Sequence, residues 1–119
     1  MGWTGIDQYD EGNPVGQAFL DEFQERTGRR PQWCVPVVNR DVAVAILHAV
    51  ADAHPLSPRG VKEALERVKS VPAASGALGT RISFGNWTRR GWMGSGYLVA
   101  RQLEADGVNS RLVGRFGEA

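Results

Sequence analysis

The chain has 119 residues, with 14 Lys and Arg against 13 Asp and Glu and a formal net charge of +1. That length fits one domain, and folding would withdraw roughly 12,500 Å² from water, so a core is possible without disulfides or a metal. A composition of 42% apolar and 23% charged residues excludes a disordered chain. The single cysteine, Cys34, excludes an internal disulfide framework and a multi-cysteine zinc site. A charge this close to zero gives no argument for nucleic acid or a membrane surface.

The charge is unevenly placed. Residues 1–25 hold six acids and no base, while residues 81–119 hold six arginines against Glu104, Asp106 and Glu118. No uninterrupted apolar run approaches the roughly 18 residues of a membrane span. No basic, apolar, small-residue leader opens the sequence.

In chain order, GWTGID (2–7) reads as a short strand and QYDEGNP (8–14) as a turn. Asn13-Pro14 is a helix start, because Asn caps free amides and proline fits the first helical position. Val15, Phe19 and Phe23, with Ala18, form one stripe of a helix over 14–27 that Gly28 terminates. RRPQWCVP (29–36) reads as irregular. VVNRDVAVAILHAVADA (37–53) reads as a second helix, apolar nearly all round and so expected to be covered on most sides. Its polar residues Asp41, His48 and Asp52 fall on one narrow stripe.

Ser57-Pro58 repeats the cap-plus-proline start and opens a third helix, 58–69. Its apolar stripe is Val61, Ala64, Leu65 and Val68, and Glu63 and Arg67 form an expected i,i+4 pair. VPAASGALG (71–79) reads as loop, TRISF (80–84) as strand and GNWTRRGWMGSG (85–96) as a glycine-rich loop. YLVARQL (97–103) and SRLVGRF (110–116) read as strands flanking an Asp106-Gly107 turn. The expected fold class is α/β over a single domain, 1–119: a short strand, three helices and a C-terminal antiparallel ribbon.

Candidate chemistry is sparse. Cys34 with His48 as base would make a nucleophilic pair, but no oxyanion-hole motif accompanies it, and a lone cysteine among Trp33, Val35 and Pro36 reads as a small buried apolar group. His48 and Asp52, four apart on a helix, lack a third metal ligand. GWMGSG (91–96) lacks the spacing of a dinucleotide fingerprint and precedes a strand rather than a helix. Trp87, Arg89, Arg90 and Trp92 interleave aromatic and basic residues as single-strand binders do, yet read better as a loop whose tryptophans cover apolar surface. Asn86-Trp87-Thr88 matches a glycosylation sequon, a pattern common by chance. No catalytic residue, metal or cofactor is expected.

Taken in order, these segments resemble the last third of type I periplasmic solute-binding proteins, the branched-chain amino acid (Leu/Ile/Val-binding) receptors of ABC transporters. The matching pieces are GWTGID, NPVGQAFLDEFQERTGRRP, RDVAVAILHAVADA, SPRGVKEALERV, GALGTRISFG and YLVARQLEADG, running from residue 2 to 116 without large gaps. NPVGQAFLDEFQERTGRRP is similar to the family's N-P-x-x-x-x-F helix closed by G-x-x-P. Arg40 stands where the family has an aromatic residue, and GNWTRRGWMG is longer than its usual hairpin loop. The resemblance implies a partial periplasmic-binding-protein-like fold and a non-enzymatic role. It implies an amino acid or related small amide as ligand and an ABC permease as partner of the intact, extracytoplasmic parent. By resemblance the loop before helix two, here Cys34, Val35 and Pro36, helps line the ligand cleft. The family's main polar ligand contacts have no counterpart in these residues. The isolated chain is expected to form a homodimer and to bind no nucleic acid. A self-standing interaction domain derived from such a receptor, and a small thiol enzyme using Cys34, are the alternative readings.

Overall fold

The computed structural model describes residues 2–116; Met1 and residues 117–119 of the expected single domain lie outside the described residues. The elements are β1 (Thr4–Asp7), α1 (Pro14–Thr27), α2 (Cys34–Asp52), α3 (Pro58–Leu65), β2 (Val71–Pro72), β3 (Arg81–Ser83), β4 (Gly91–Trp92), β5 (Val99–Leu103) and β6 (Ser110–Arg115). Three helices thus combine with two three-stranded sheets, ordered β1-β5-β6 and β2-β3-β4. Every strand pair in both is antiparallel. β1 takes its place beside β5 with Ile6 opposite Ala100, and a bulge at Ala100–Arg101 interrupts the β5–β6 register.

Local chemistry sets the helix ends. Asn13 accepts from the Val15 and Gly16 amides, and Gly28 closes α1 in the left-handed region at φ 74°. The Ser57 side chain accepts from the Gly60 amide and starts α3. The α1 stripe is rotated from the expected one. Leu20 and Gly16 are fully buried, Val15, Phe19 and Phe23 are half-buried, and Ala18 is exposed. The cause is the position of the core: Leu20 packs with Tyr9, Val37 and Ala74. The Ala74 carbonyl lies so near Gly16 that a Cβ there would fall 2.4 Å from it.

α2 begins three residues earlier than expected, so Cys34, Val35 and Pro36 form its first turn rather than a loop before it. Proline is tolerated there because first-turn amides have no intrahelical acceptor. α3 is shorter than expected, ending at Leu65. The expected Glu63–Arg67 pair therefore does not form: Glu63 binds Arg59 at 3.0 Å, and Arg67 reaches Asp52 across the α2–α3 junction. Ala49, Ala53 and Ala64 pack at that junction, with Val61 and Leu65 beside them. The expected strands are shorter by one or two residues, and two short ones, β2 and β4, occur within stretches read as loop.

The core is thin. The molecule measures 53 × 37 × 20 Å, with a radius of gyration of 15.9 Å against about 13.5 Å for a sphere-like domain of this length. α2 is not covered on most sides. Val37, Asp41, Ala45 and Ala49 are buried, while Ile46 and Leu47 remain 47% and 66% exposed. Although its sequence is interrupted by polar residues, α2 as a whole is long and apolar enough to cross a membrane by length and composition.

Candidate functional site

The expected ligand-lining residues sit at the N-terminal turn of α2. Trp33 precedes it in an extended conformation and supplies no side-chain cap. Val35 is exposed, and Cys34 and Pro36 are half-buried. Cys34 lies against the end of β1. Burial pushes its thiol pKa up, and a hydrogen bond and the negative charge of Asp7 push it further, outweighing the Gln8 amide that favours the thiolate. The thiol is therefore protonated at neutral pH and is a poor nucleophile. His48 lies 14 residues further along the same helix, about 21 Å away at 1.5 Å per residue, so the structure does not bring this pair together. His48 and Asp52 are both exposed, and Asp52 is engaged by Arg67 at 2.9 Å.

A cleft of about 420 Å³ adjoins this turn, lined by Arg30, Pro31, Gln32, Trp33, Val108 and Asn109. Its one charged group is already occupied. The Arg30 guanidinium donates to Asp21 at 2.6 Å, to Gln17 at 2.8 Å and to Gln24 at 3.3 Å. The cleft thus offers the apolar surfaces of Pro31, Trp33 and Val108 and the side-chain amides of Gln32 and Asn109, but no free charge pair for an amino acid's carboxylate and ammonium.

Two polar networks elsewhere tie distant parts of the fold together, and sequence reasoning assembled neither. In the first, Asp41 is fully buried. Its Oδ1 accepts from the Ala74 amide at 2.7 Å and its Oδ2 from the Ser75 amide at 3.0 Å and the Ser75 hydroxyl at 2.6 Å. From the other side Asn13 Nδ2 donates to the carbonyls of Ala73, Ser75 and Gly76. The 73–76 segment is thus clamped between the start of α1 and the middle of α2. Trp92 donates its indole N–H to Ser75 Oγ at 2.8 Å and stacks on Tyr97. Asp41 shares a helical stripe with His48 and Asp52, and its sequence context gave no sign that it alone turns inward.

The second network joins residues 90 to 105 positions apart. Arg101, 4% exposed, donates to both Glu11 oxygens at 2.6 and 2.8 Å, to the Tyr9 carbonyl and to Ser110, and lies over the Tyr9 ring. Arg115 grips the buried Asp10 at 2.6 and 3.0 Å. Burial raises the carboxyl pKa of both Asp10 and Glu11, but the arginine hydrogen bonds and charges outweigh it and hold both below their ordinary values. The stretch read only as a turn, 8–14, is in fact tied to β5 and β6.

The aromatic–basic loop is divided rather than gathered. Trp87 is 97% exposed and covers nothing, contrary to expectation. Arg89 pairs with Glu66 at 2.9 Å, while Arg90 lies over the Tyr97 ring and donates to the Trp92 and Gly94 carbonyls. Among the described residues no group of three His, Cys, Asp or Glu side chains is placed to hold a metal ion. No protein-family model, curated protein or solved structure matches the chain.

Proposed function

We propose that this chain is a C-terminal segment of a two-lobed, extracytoplasmic solute receptor, partial periplasmic-binding-protein-like in fold. The intact parent binds an amino acid or related small amide and delivers it to an ABC permease. The segment is not an enzyme, and by resemblance its ligand-facing residues are Cys34, Val35 and Pro36, in the helix turn that follows the cleft residue Trp33. The observation that carries the reading is the ordered set of motifs between residues 2 and 116. Support also comes from the cleft that ends at Trp33, the residue before α2, and holds no free charge pair. Affinity in a two-lobed receptor comes from enclosure on both sides, so half a cleft holds little.

Calorimetry of the 119-residue chain with leucine, isoleucine, valine and small amides tests this. No binding at micromolar ligand is the expected result for the chain alone, and binding is expected once the upstream lobe encoded in the same reading frame is supplied. A micromolar dissociation constant without that lobe, or a reading frame with no such lobe, overturns the proposal. A second reading, a self-standing dimerisation domain descended from such a receptor, is favoured by the apolar face of α2.

A further inference from the structure

We infer that the exposed face of α2 is the contact surface of a homodimer, two copies packing their α2 helices antiparallel across a two-fold axis near Ala43. The inference concerns the chain by itself and does not rest on the receptor reading. Val42, Ala43, Ile46, Leu47 and Val50 are all exposed. At 3.6 residues per turn the stretch from Val42 round to Leu47 covers about 140° of the helix circumference. Asn39 is the polar residue within it. The helix's own charges point elsewhere: Asp41 is buried on the 73–76 segment, Arg40 donates to the Pro72 carbonyl, and Asp52 is held by Arg67.

Three physical arguments select a second copy as the occupant. The first is area. The chain exposes 7592 Å², against about 6,300 Å² for a closed monomer of this mass, and the excess exceeds the roughly 800 Å² that each partner gives to a standard interface. The second is charge. A two-fold contact presents the same surface to itself, which is unfavourable for any charged patch and costs nothing for this uncharged one. The third is shape. The small side chain of Ala43 at the centre of the face allows close approach of two helices, with Ile46 and Leu47 seated against Val42 and Asn39 of the partner in ridge-and-groove fashion. A membrane span is disfavoured although α2 has the length for one. Inserting it would strip the buried Asp41 carboxylate from its amide partners and place it in hydrocarbon.

Light scattering across a dilution series, with lipid-vesicle co-sedimentation alongside, tests the inference. The expected result is twice the chain's 13.0 kDa at high concentration. The Ile46→Glu, Leu47→Glu double variant should run as a monomer with unchanged far-ultraviolet circular dichroism, because both side chains point away from the protomer's own core. Trp87→Ser, altered in an exposed loop elsewhere, should remain dimeric. In a Cys34→Ser background, Ala43→Cys should form an intermolecular disulfide under mild oxidation, and Leu78→Cys should not. A wild-type mass that stays at the monomer value, a double variant that stays dimeric, a dimer lost through Trp87→Ser, or a monomer that co-sediments with vesicles would each overturn it.

Discussion

Replacing Asp41 by alanine tests the account of the 73–76 segment. The substitution removes the acceptors of two backbone amides, Ala74 at 2.7 Å and Ser75 at 3.0 Å, both buried, and of the Ser75 hydroxyl at 2.6 Å. Each orphaned buried amide costs about 1–3 kcal/mol. The hydroxyl can rotate to another acceptor, and Arg40, partly exposed, regains water, so neither adds much. The sum is about 3–5 kcal/mol, a large part of the 5–15 kcal/mol typical of a whole domain. At this chain length that lowers the melting temperature by about 10–20 °C. Asp41→Asn keeps one acceptor and turns an NH₂ toward existing donors, so an intermediate loss is expected. Because Ser75 Oγ also receives the Trp92 indole, near-ultraviolet circular dichroism of the Trp92–Tyr97 pair should weaken in both variants below their melting points. Asp52→Ala, on the same stripe but exposed, should move stability by no more than about 0.5 kcal/mol. Equal melting temperatures for Asp41→Ala and wild type would refute the assignment of Asp41 as the clamp.

Gly16→Ala reverses the usual sign of a helix substitution: alanine is favoured over glycine by about 1 kcal/mol in an open helix, but here its Cβ would meet the Ala74 carbonyl at 2.4 Å. Thermal melts should show destabilisation, and a stabilised variant would mean that α1 does not approach the 73–76 segment. Asp10 and Glu11 both have depressed pKa values in the folded state. Their contribution is therefore full above the unfolded values near 4 and is lost as pH falls through the lower folded ones. Urea midpoints measured from pH 6 to pH 2 should drop steeply below pH 4 in wild type and less steeply in Asp10→Asn, and parallel curves would contradict the Arg115 pairing. With its pKa raised by burial and by Asp7, Cys34 should react with iodoacetamide at pH 7.5 more slowly than free cysteine, and Asp7→Asn should speed it. A faster rate than free cysteine would reinstate a reactive thiol.

What the amino-acid sequence determined by itself is what neighbours along the chain can settle. Asn13-Pro14 and Ser57-Pro58 start helices, and Gly28 stops one, through contacts within a few residues. Four of the six described strands and the Asp106-Gly107 turn were likewise legible, the turn because Asp106 caps the Val108 and Asn109 amides locally. Burial on a helix was not, because periodicity reports that residues share a face and not what that face meets. Asp41 and Asp52 share one stripe, yet one clamps buried amides and the other stands in solvent. The apolar circumference of α2 suggested cover on most sides, but cover depends on how many elements the rest of the chain can bring, and only one side is met. The Arg101–Glu11 and Arg115–Asp10 pairs form only because β1 docks beside β5 and carries the 8–14 turn to the opposite end of the sequence. Pairing across that separation is decided by the packed fold, where desolvated charges must find partners, and no local spacing encodes it.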